Sequence, residues 1–415
     1  MKPSRSITSF ATTAAISFGV LSVFLSSNAC AQACPGDLNG DGQVNGADLG
    51  ALLASWGICP VLAPTISSVN PNYGPQTGGT LFVINGTNLN GATGVTVGGV
   101  AATIVSATPT AITATTPVSA TLGAKNVVVT TPGGMPPAVG AFYYGLSWAT
   151  VIEFLPNPAV VTDATMRAAI TATGLAWRVR DTATQMEMVL VPPGTFTMGC
   201  TASNLYPCIS NENPTHSVTL TQPFYMGRYE VTQSQWVARM PSNPSNFQGA
   251  SYPDAANRPV EQVSWNTIQG YLSVTGMRLP SEAEWEYACR AGTTTAFNNG
   301  SSDDASWPLR VGTIAWYLSN SGNQTHVVGG KVANALGLFD MSGNVSEWVS
   351  DWYDGTYYSV SPLTNPLGPV SGGTRRVLRG GSWYTDSGDV RSSARSYLTP
   401  DFTNFSDGFR VVRNP

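Results

Sequence analysis

Leu378-Arg379-Gly380-Gly381-Ser382-Trp383 runs on into Tyr384-Thr385-Asp386-Ser387-Gly388-Asp389-Val390-Arg391, and no cysteine occurs from there to Pro415. The run closes a long segment, 176–413, that is rich in Trp, Gly and short loops. Upstream, Met188-Val189-Leu190-Val191 alternates and then turns at Pro192-Pro193-Gly194, as an opening strand would. Thr232 and Gln235 have capping-box spacing, so a helix is expected there with Trp236 inward. Pro259-Val260-Glu261-Gln262-Val263-Ser264-Trp265 leads into a second helix, and Arg278-Leu279-Pro280-Ser281 into a third. Ser281 and Glu284 repeat the capping box, and Gly292 supplies a stop. Trp285, Ala288 and Cys289 stand at i, i+3 and i+4, which places Cys289 on a buried face.

Three further runs complete the pattern: Arg228-Tyr229-Glu230-Val231-Thr232, Leu279-Pro280-Ser281-Glu282-Ala283-Glu284-Trp285-Glu286, and Gly337-Leu338-Phe339-Asp340-Met341-Ser342-Gly343-Asn344-Val345-Ser346-Glu347-Trp348. With Arg379-Gly380-Gly381-Ser382-Trp383 and Gly408-Phe409-Arg410-Val411, they resemble the formylglycine-generating enzyme (sulfatase-modifying factor) family over the whole segment. That resemblance implies an α+β, C-type-lectin-like fold with little regular secondary structure, packed through Trp and Gly. It implies a calcium site in which Asp340 and Glu347 give side-chain oxygens and Gly343 and Val345 give carbonyls, a hard-cation set from one tight turn. Pairing of Glu347 with a neighbouring Arg is the alternative. In active members two redox cysteines follow the Gly-Gly-Ser and bind copper. Here Thr385, Asp386 and Asp389 stand around that place, and hydroxyls and carboxylates are poor Cu(I) ligands, so copper is not expected and no catalytic residue is assigned. A histidine–iron variant of the family is also disfavoured, because only His216 and His326 exist. Asp386, Asp389 and Arg391 are read either as pocket residues or as a solvated loop.

Residues 34–60 form a separate short unit. Asp37, Asn39, Asp41, Gly42, Asn45 and Asp48 occupy positions 1, 3, 5, 6, 9 and 12 of an EF-hand-type calcium loop, with Gln43 offering its carbonyl. Leu49, Leu52, Leu53 and Trp56 follow at helical spacing. The unit resembles a dockerin repeat, EF-hand-like and present once where a full dockerin has two, so a cohesin-like partner is kept as an alternative. Residues 63–145 alternate short β-rich runs with turns such as Pro71-Asn72-Tyr73-Gly74-Pro75 and Asn85-Gly86-Thr87, which indicates a β-sandwich. They resemble an IPT/TIG domain, an immunoglobulin-like fold. Lys125 is the only Lys or Arg in the segment, which favours a spacer or adhesion role over DNA binding. Residues 146–175 read as a linker with a short helix over 164–171.

Composition sets the outer bounds. Charged residues make up 11% and the net charge is −4 with no basic block, which excludes a nucleic-acid surface. Residues 1–33 have the form of a signal peptide: Lys2 and Arg5, an apolar run, then Ala31-Gln32-Ala33. No second long apolar run follows, so no membrane span is expected. Export favours disulfides, Cys34 with Cys59 and Cys200 with Cys208, which leaves Cys289 over. The sequence thus reads as a secreted or cell-surface multidomain calcium protein. Its last domain recognises a protein or glycan ligand at the cell surface. The alternatives are a formylglycine-generating oxidase acting on a sulfatase cysteine, and a docked component of a polysaccharide-degrading assembly.

Overall fold

The computed structural model describes residues 36–54, 62–135, 137–200, 208–301, 307–370 and 373–415. The signal-peptide reading, Trp56 and the Cys34–Cys59 pairing fall outside these residues. The chain divides into two units, residues 1–60 and 61–415.

In the first unit, α1 (Gly46–Ala54) follows a loop wrapped around its own carboxylates. Asp48, in the first turn of α1, is buried, while Leu49, Leu52 and Leu53 are exposed. The apolar spacing therefore marks a helix face without making a core among the described residues.

The second unit opens with an immunoglobulin-like sandwich whose strands alternate in burial. Strand Val100–Ala107 bends between the two layers: its first residues pair with Gly94–Val97 and its later ones with Ala111–Thr115. Phe82, Ile84 and Ile112 from one layer meet Val95, Val127, Val129 and Phe142 from the other in one apolar cluster. A pleated strand sends alternate side chains to one face, so period-two patterning is enough to build this core.

The rest of the unit is short strands and loops around one larger core. A five-stranded antiparallel sheet runs in the order Val412–Arg413, Phe224–Gly227, Glu187–Val191, Arg178–Asp181, Ala149–Glu153. The last of these comes from the stretch read as a linker. Its mostly half-buried residues pair with Arg178–Asp181, and α2 (Ala164–Ala172), capped by Asp163, follows it. A four-stranded sheet joins Arg395–Leu398, Arg376–Arg379, Ser346–Trp352 and Asp407–Gly408. Between Phe224–Gly227 and Ser346–Trp352 in chain order come α3 (Gln233–Val237), α4 (Trp265–Thr275), α5 (Glu282–Arg290) and α6 (Trp307–Ile314).

The capping boxes Thr232–Gln235 and Ser281–Glu284 both form. Such caps contribute about 1 kcal/mol each, too little to hold helices this short, so packing must supply the rest. Trp285, Ala288 and Cys289 are fully buried. The end of α5 differs in detail from expectation: Ala291, at φ +47°, takes the left-handed position, one residue before Gly292.

Buried ions bind these loops together. Arg379 reaches the carbonyls of Ser392, Ser393 and Ala394 and the carboxylate of Glu286. Arg290 bonds Glu286 on its other oxygen, and Arg395 grips Glu282 at 2.7 and 2.9 Å. Asp351 accepts from the Glu282 amide at 2.8 Å, at the head of α5. Its burial, with Glu282 adding repulsion, pushes its pKa up to about 7. A raised carboxyl pKa stabilises the fold below the unfolded value, and that stability is lost as pH rises towards 7. Asp351→Asn keeps the acceptor and removes the titration. Thermal melts should show its melting temperature gaining on the parent as pH rises from about 5 to 8; a gap constant across that range would refute this placement of the charge.

Candidate functional site

The loop after Arg379 is shaped by two left-handed glycines. Gly380 has φ +88° and Gly381 φ +64°; a Cβ on Gly381 would lie 2.7 Å from Asp389 O and 2.9 Å from Thr385 Oγ1. The glycines let the loop fold onto itself. Thr385 Oγ1 accepts from Ser382 N at 2.9 Å and faces Ser382 O at 3.1 Å. Asp386 and Asp389 are exposed. Arg391 is not: it is buried in a two-point ion pair with Glu212, 2.8 Å at each contact. A cavity of about 150 Å³ opens beside the loop, bordered by Ser346, Gly381, Thr385, Asp389, Ala394 and Arg395. Of the three residues read at the place of the family cysteines, Thr385 and Asp389 border this cavity, and Asp386 does not.

Cys200 and Cys208 are joined in a disulfide, and Cys289 is a free buried thiol pushed up to about 11 by desolvation. His326 stacks on Trp316 with ring centroids 3.7 Å apart and bonds Ser321 O, while His216 packs against Tyr358. The histidines are thus held in separate structural contacts.

The turn from Asp340 to Glu347 packs under this loop. Asp340, Gly343 and Asn344 all have left-handed φ, at +54°, +77° and +64°. Gly343 N donates to Gly380 O, and a Cβ at Gly343 would stand 2.1 Å from Trp316 O. The structure does not bring the Asp340 and Glu347 carboxylates to one point as free donors. Glu347 is fully used: both oxygens bond Arg410, at 2.6 to 2.9 Å, and one also accepts from Trp285 Nε1 at 2.7 Å. Asp340 Oδ2 accepts from Gly329 N at 2.6 Å, whereas its Oδ1 is buried without a partner.

Sequence reading missed Glu230 as part of this site. It accepts from Val345 N at 3.0 Å and from Asn344 Nδ2 at 2.6 Å, which turns the Val345 amide towards it. Burial, with Asp340 and Glu347 adding repulsion, holds the Glu230 pKa well above the carboxylate range. Burial likewise lifts Asp340 to about 6. Three carboxylates therefore share one buried cation, Arg410, with Lys331 acting on Asp340 from the side. The unpartnered Asp340 oxygen fits a further cation. Among the described residues no three Asp, Glu, His or Cys side chains gather closely enough to hold a metal by themselves, so carbonyls would have to complete such a site.

In the N-terminal loop, Asp37 accepts from the amides of Gly40, Asp41 and Gly42, and Asn39 Oδ1 from Asp41 N. Asp41 accepts from Gln43 N, and Asn45 Oδ1 from Ala47 N. Asp48 folds back to accept from Leu38, Asn39 and Asn45, and the Asn45 bond leads in holding its pKa below the usual range. Gly40 and Gly42, at φ +78° and +83°, make the turns this wrapping needs.

Glu347→Gln should cost about 3–5 kcal/mol, because it strands a buried guanidinium. Denaturant unfolding should give the same loss with calcium or with chelator. A loss that appears only with calcium would make Glu347 a metal ligand in place of an Arg410 partner. Gly343→Ala should cost at least about 2 kcal/mol, from its left-handed φ and the clash with Trp316 O, by the same measurement.

The sulfatase-modifying factor enzyme 1-like domain matches residues 175–415, and the IPT/TIG domain matches residues 64–144. The chain is 32% identical over 302 residues to the formylglycine-generating enzyme of Streptomyces coelicolor, covering 60% of this chain and 94% of that protein. It is 30% identical over 280 residues to the chaperone protein LppX of Paenibacillus barcinonensis, covering 55% of this chain and 89% of that one. Among solved structures, PvdO from Pseudomonas aeruginosa is 28% identical with a TM-score of 0.51, covering 57% of this chain and 98% of that one. By the extent of the match and the motifs it carries, this chain belongs to the sulfatase-modifying factor enzyme 1-like family, with an IPT/TIG domain ahead of that domain.

Proposed function

We propose that the chain is an exported, calcium-binding multidomain protein whose sulfatase-modifying-factor domain acts in recognition or assembly and not as an oxidase. The observation that carries this reading is the content of the loop after Arg379. Oxidation by the family's active members needs a soft thiolate pair, and this loop offers the hydroxyl of Thr385 and the carboxylates of Asp386 and Asp389. The Thr385 hydroxyl is already bonded within its own turn. The described cysteines that could be recruited are a disulfide pair, Cys200–Cys208, and a buried Cys289 whose thiolate is disfavoured. These residues do not suit copper. The cavity beside Thr385 and Asp389 is the recognition pocket in this reading, and its ligand is a protein or glycan at the cell surface. That one relative is named a chaperone supports a family role separate from oxidation.

Calcium has two places in this proposal. The first is the N-terminal loop, with Asp37, Asn39, Asp41, Gln43, Asn45 and Asp48, where the ligand spacing supports a dockerin-type site. The second is the turn at Asp340, where the unpartnered oxygen and the carbonyls of Gly343 and Val345 would hold the ion. A cohesin-like partner for the first loop would place the chain in a polysaccharide-degrading assembly.

Two measurements test the reading. Incubation with copper, oxygen and a Cys-x-Pro-x-Arg peptide should yield no aldehyde by mass. Aldehyde that persists in the Cys200→Ser, Cys208→Ser chain would reject loss of the oxidase. Calorimetric titration should show calcium binding that falls in two separable parts, one removed by Asp37→Ala with Asp41→Ala and the other by Asp340→Asn. Binding unchanged by all three substitutions, or no binding at all, would reject these sites.

A further inference from the structure

The disulfide is packed against the far end of the motif loop, and its two sulfurs sit in unlike surroundings. Cys200 is 5% exposed, while Cys208 is half-buried. Arg391 Nη1 lies 3.6 Å from Cys200 Sγ. That guanidinium is fixed: its Nε donates to Gly388 O at 2.8 Å, and its two terminal nitrogens hold Glu212. Glu212 is itself tied by Ser393 Oγ at 2.8 Å, and its carbonyl accepts from Cys200 N at 3.0 Å. A second cation, Arg290, donates to Gly199 O at 2.7 Å and is paired with Glu286. The charged groups around Cys200 are thus Arg391 and Arg290, with Glu212, Glu286 and, further along the loop, Asp389 opposing them.

We propose that Cys200–Cys208 is a polarised, exchange-competent disulfide, attacked at Cys208 by an external dithiol, with Cys200 leaving as a thiolate held by Arg391. In the first step the attacking thiolate forms a bond to Cys208 Sγ while the Cys200–Cys208 bond breaks, and the electron pair stays on Cys200 Sγ. In the second, the other thiolate of the dithiol attacks its own sulfur in the mixed disulfide, and Cys208 leaves and takes up a proton. The dithiol is oxidised to its disulfide, the protein disulfide gains two electrons, and the second proton goes to water. Attack is favoured at the more exposed of the two residues, here Cys208, and the thiol of lower pKa leaves faster. A neighbouring guanidinium lowers a cysteine pKa, whereas Glu212 works against it. The closed loop is short, with a separation of eight residues, so chain entropy stabilises this crosslink less than it would one closing a long loop.

The test uses the intact oxidised chain. Brief treatment with glutathione, acid quench and peptide mass mapping should place the adduct on Cys208 about tenfold or more over Cys200. An adduct mainly on Cys200, an even split, or no adduct on the folded chain would overturn the proposal. In the Cys208→Ser chain, the rate of Cys200 alkylation at neutral pH should fall about tenfold with Arg391→Gln, persist with Arg391→Lys and rise with Glu212→Gln. Equal rates in all of these would also overturn it. The adduct map decides the question if Arg391→Gln does not fold.

Discussion

The contact between Glu347 and Arg410 holds the C-terminal domain in register. Arg410 comes from the end of the chain and Glu347 from strand Ser346–Trp352, and both are shielded from water. Arg410 also donates to Gly227 O and Phe339 O, so one guanidinium closes three separate segments. A buried ion pair of this kind adds little net stability compared with an apolar pair. What it supplies is a packing constraint, because an arrangement that parted the pair would leave a buried charge uncompensated. Exposed pairs such as Arg180 with Glu187 lack that power, since water competes for each partner.

The same logic repeats through the domain. Glu286 with Arg379 and Arg290, Glu282 with Arg395, and Glu212 with Arg391 are all buried. With so few long helices or strands, the backbone cannot satisfy itself by regular pairing. Arginine side chains that donate to loop carbonyls take over part of that task, as Arg379 does for Ser392, Ser393 and Ala394. The low overall charge of the chain is therefore no sign of a weak electrostatic frame, because much of that charge is placed inside.

The fold was legible in sequence wherever local chemistry decides the backbone. Two capping boxes, the alternation of the Ig-like strands, and the inward face of α5 all follow from residues close together in the chain. The 146–175 segment was less legible. Its strand Ala149–Glu153 has no buried residue to mark a core face and becomes regular only by pairing with Arg178–Asp181. The site was legible in part: Asp340, Gly343, Val345 and Glu347 do share one turn. Glu230 falls in the run Arg228-Tyr229-Glu230-Val231-Thr232, yet its role was not legible, because it lies 115 positions from the amide it binds.

The family, the order of the matched domains and the lack of cysteine after Trp383 follow from motif identity and residue type, which need no geometry. Tertiary structure alone decided how each acid is used. Glu347 is spent on Arg410 and Trp285, Asp340 keeps an oxygen unpartnered, and Arg391 is shared between Glu212 and the neighbourhood of Cys200. The reason is physical: a carboxylate's role depends on which partners burial brings within about 3 Å, and those partners come from distant parts of the chain.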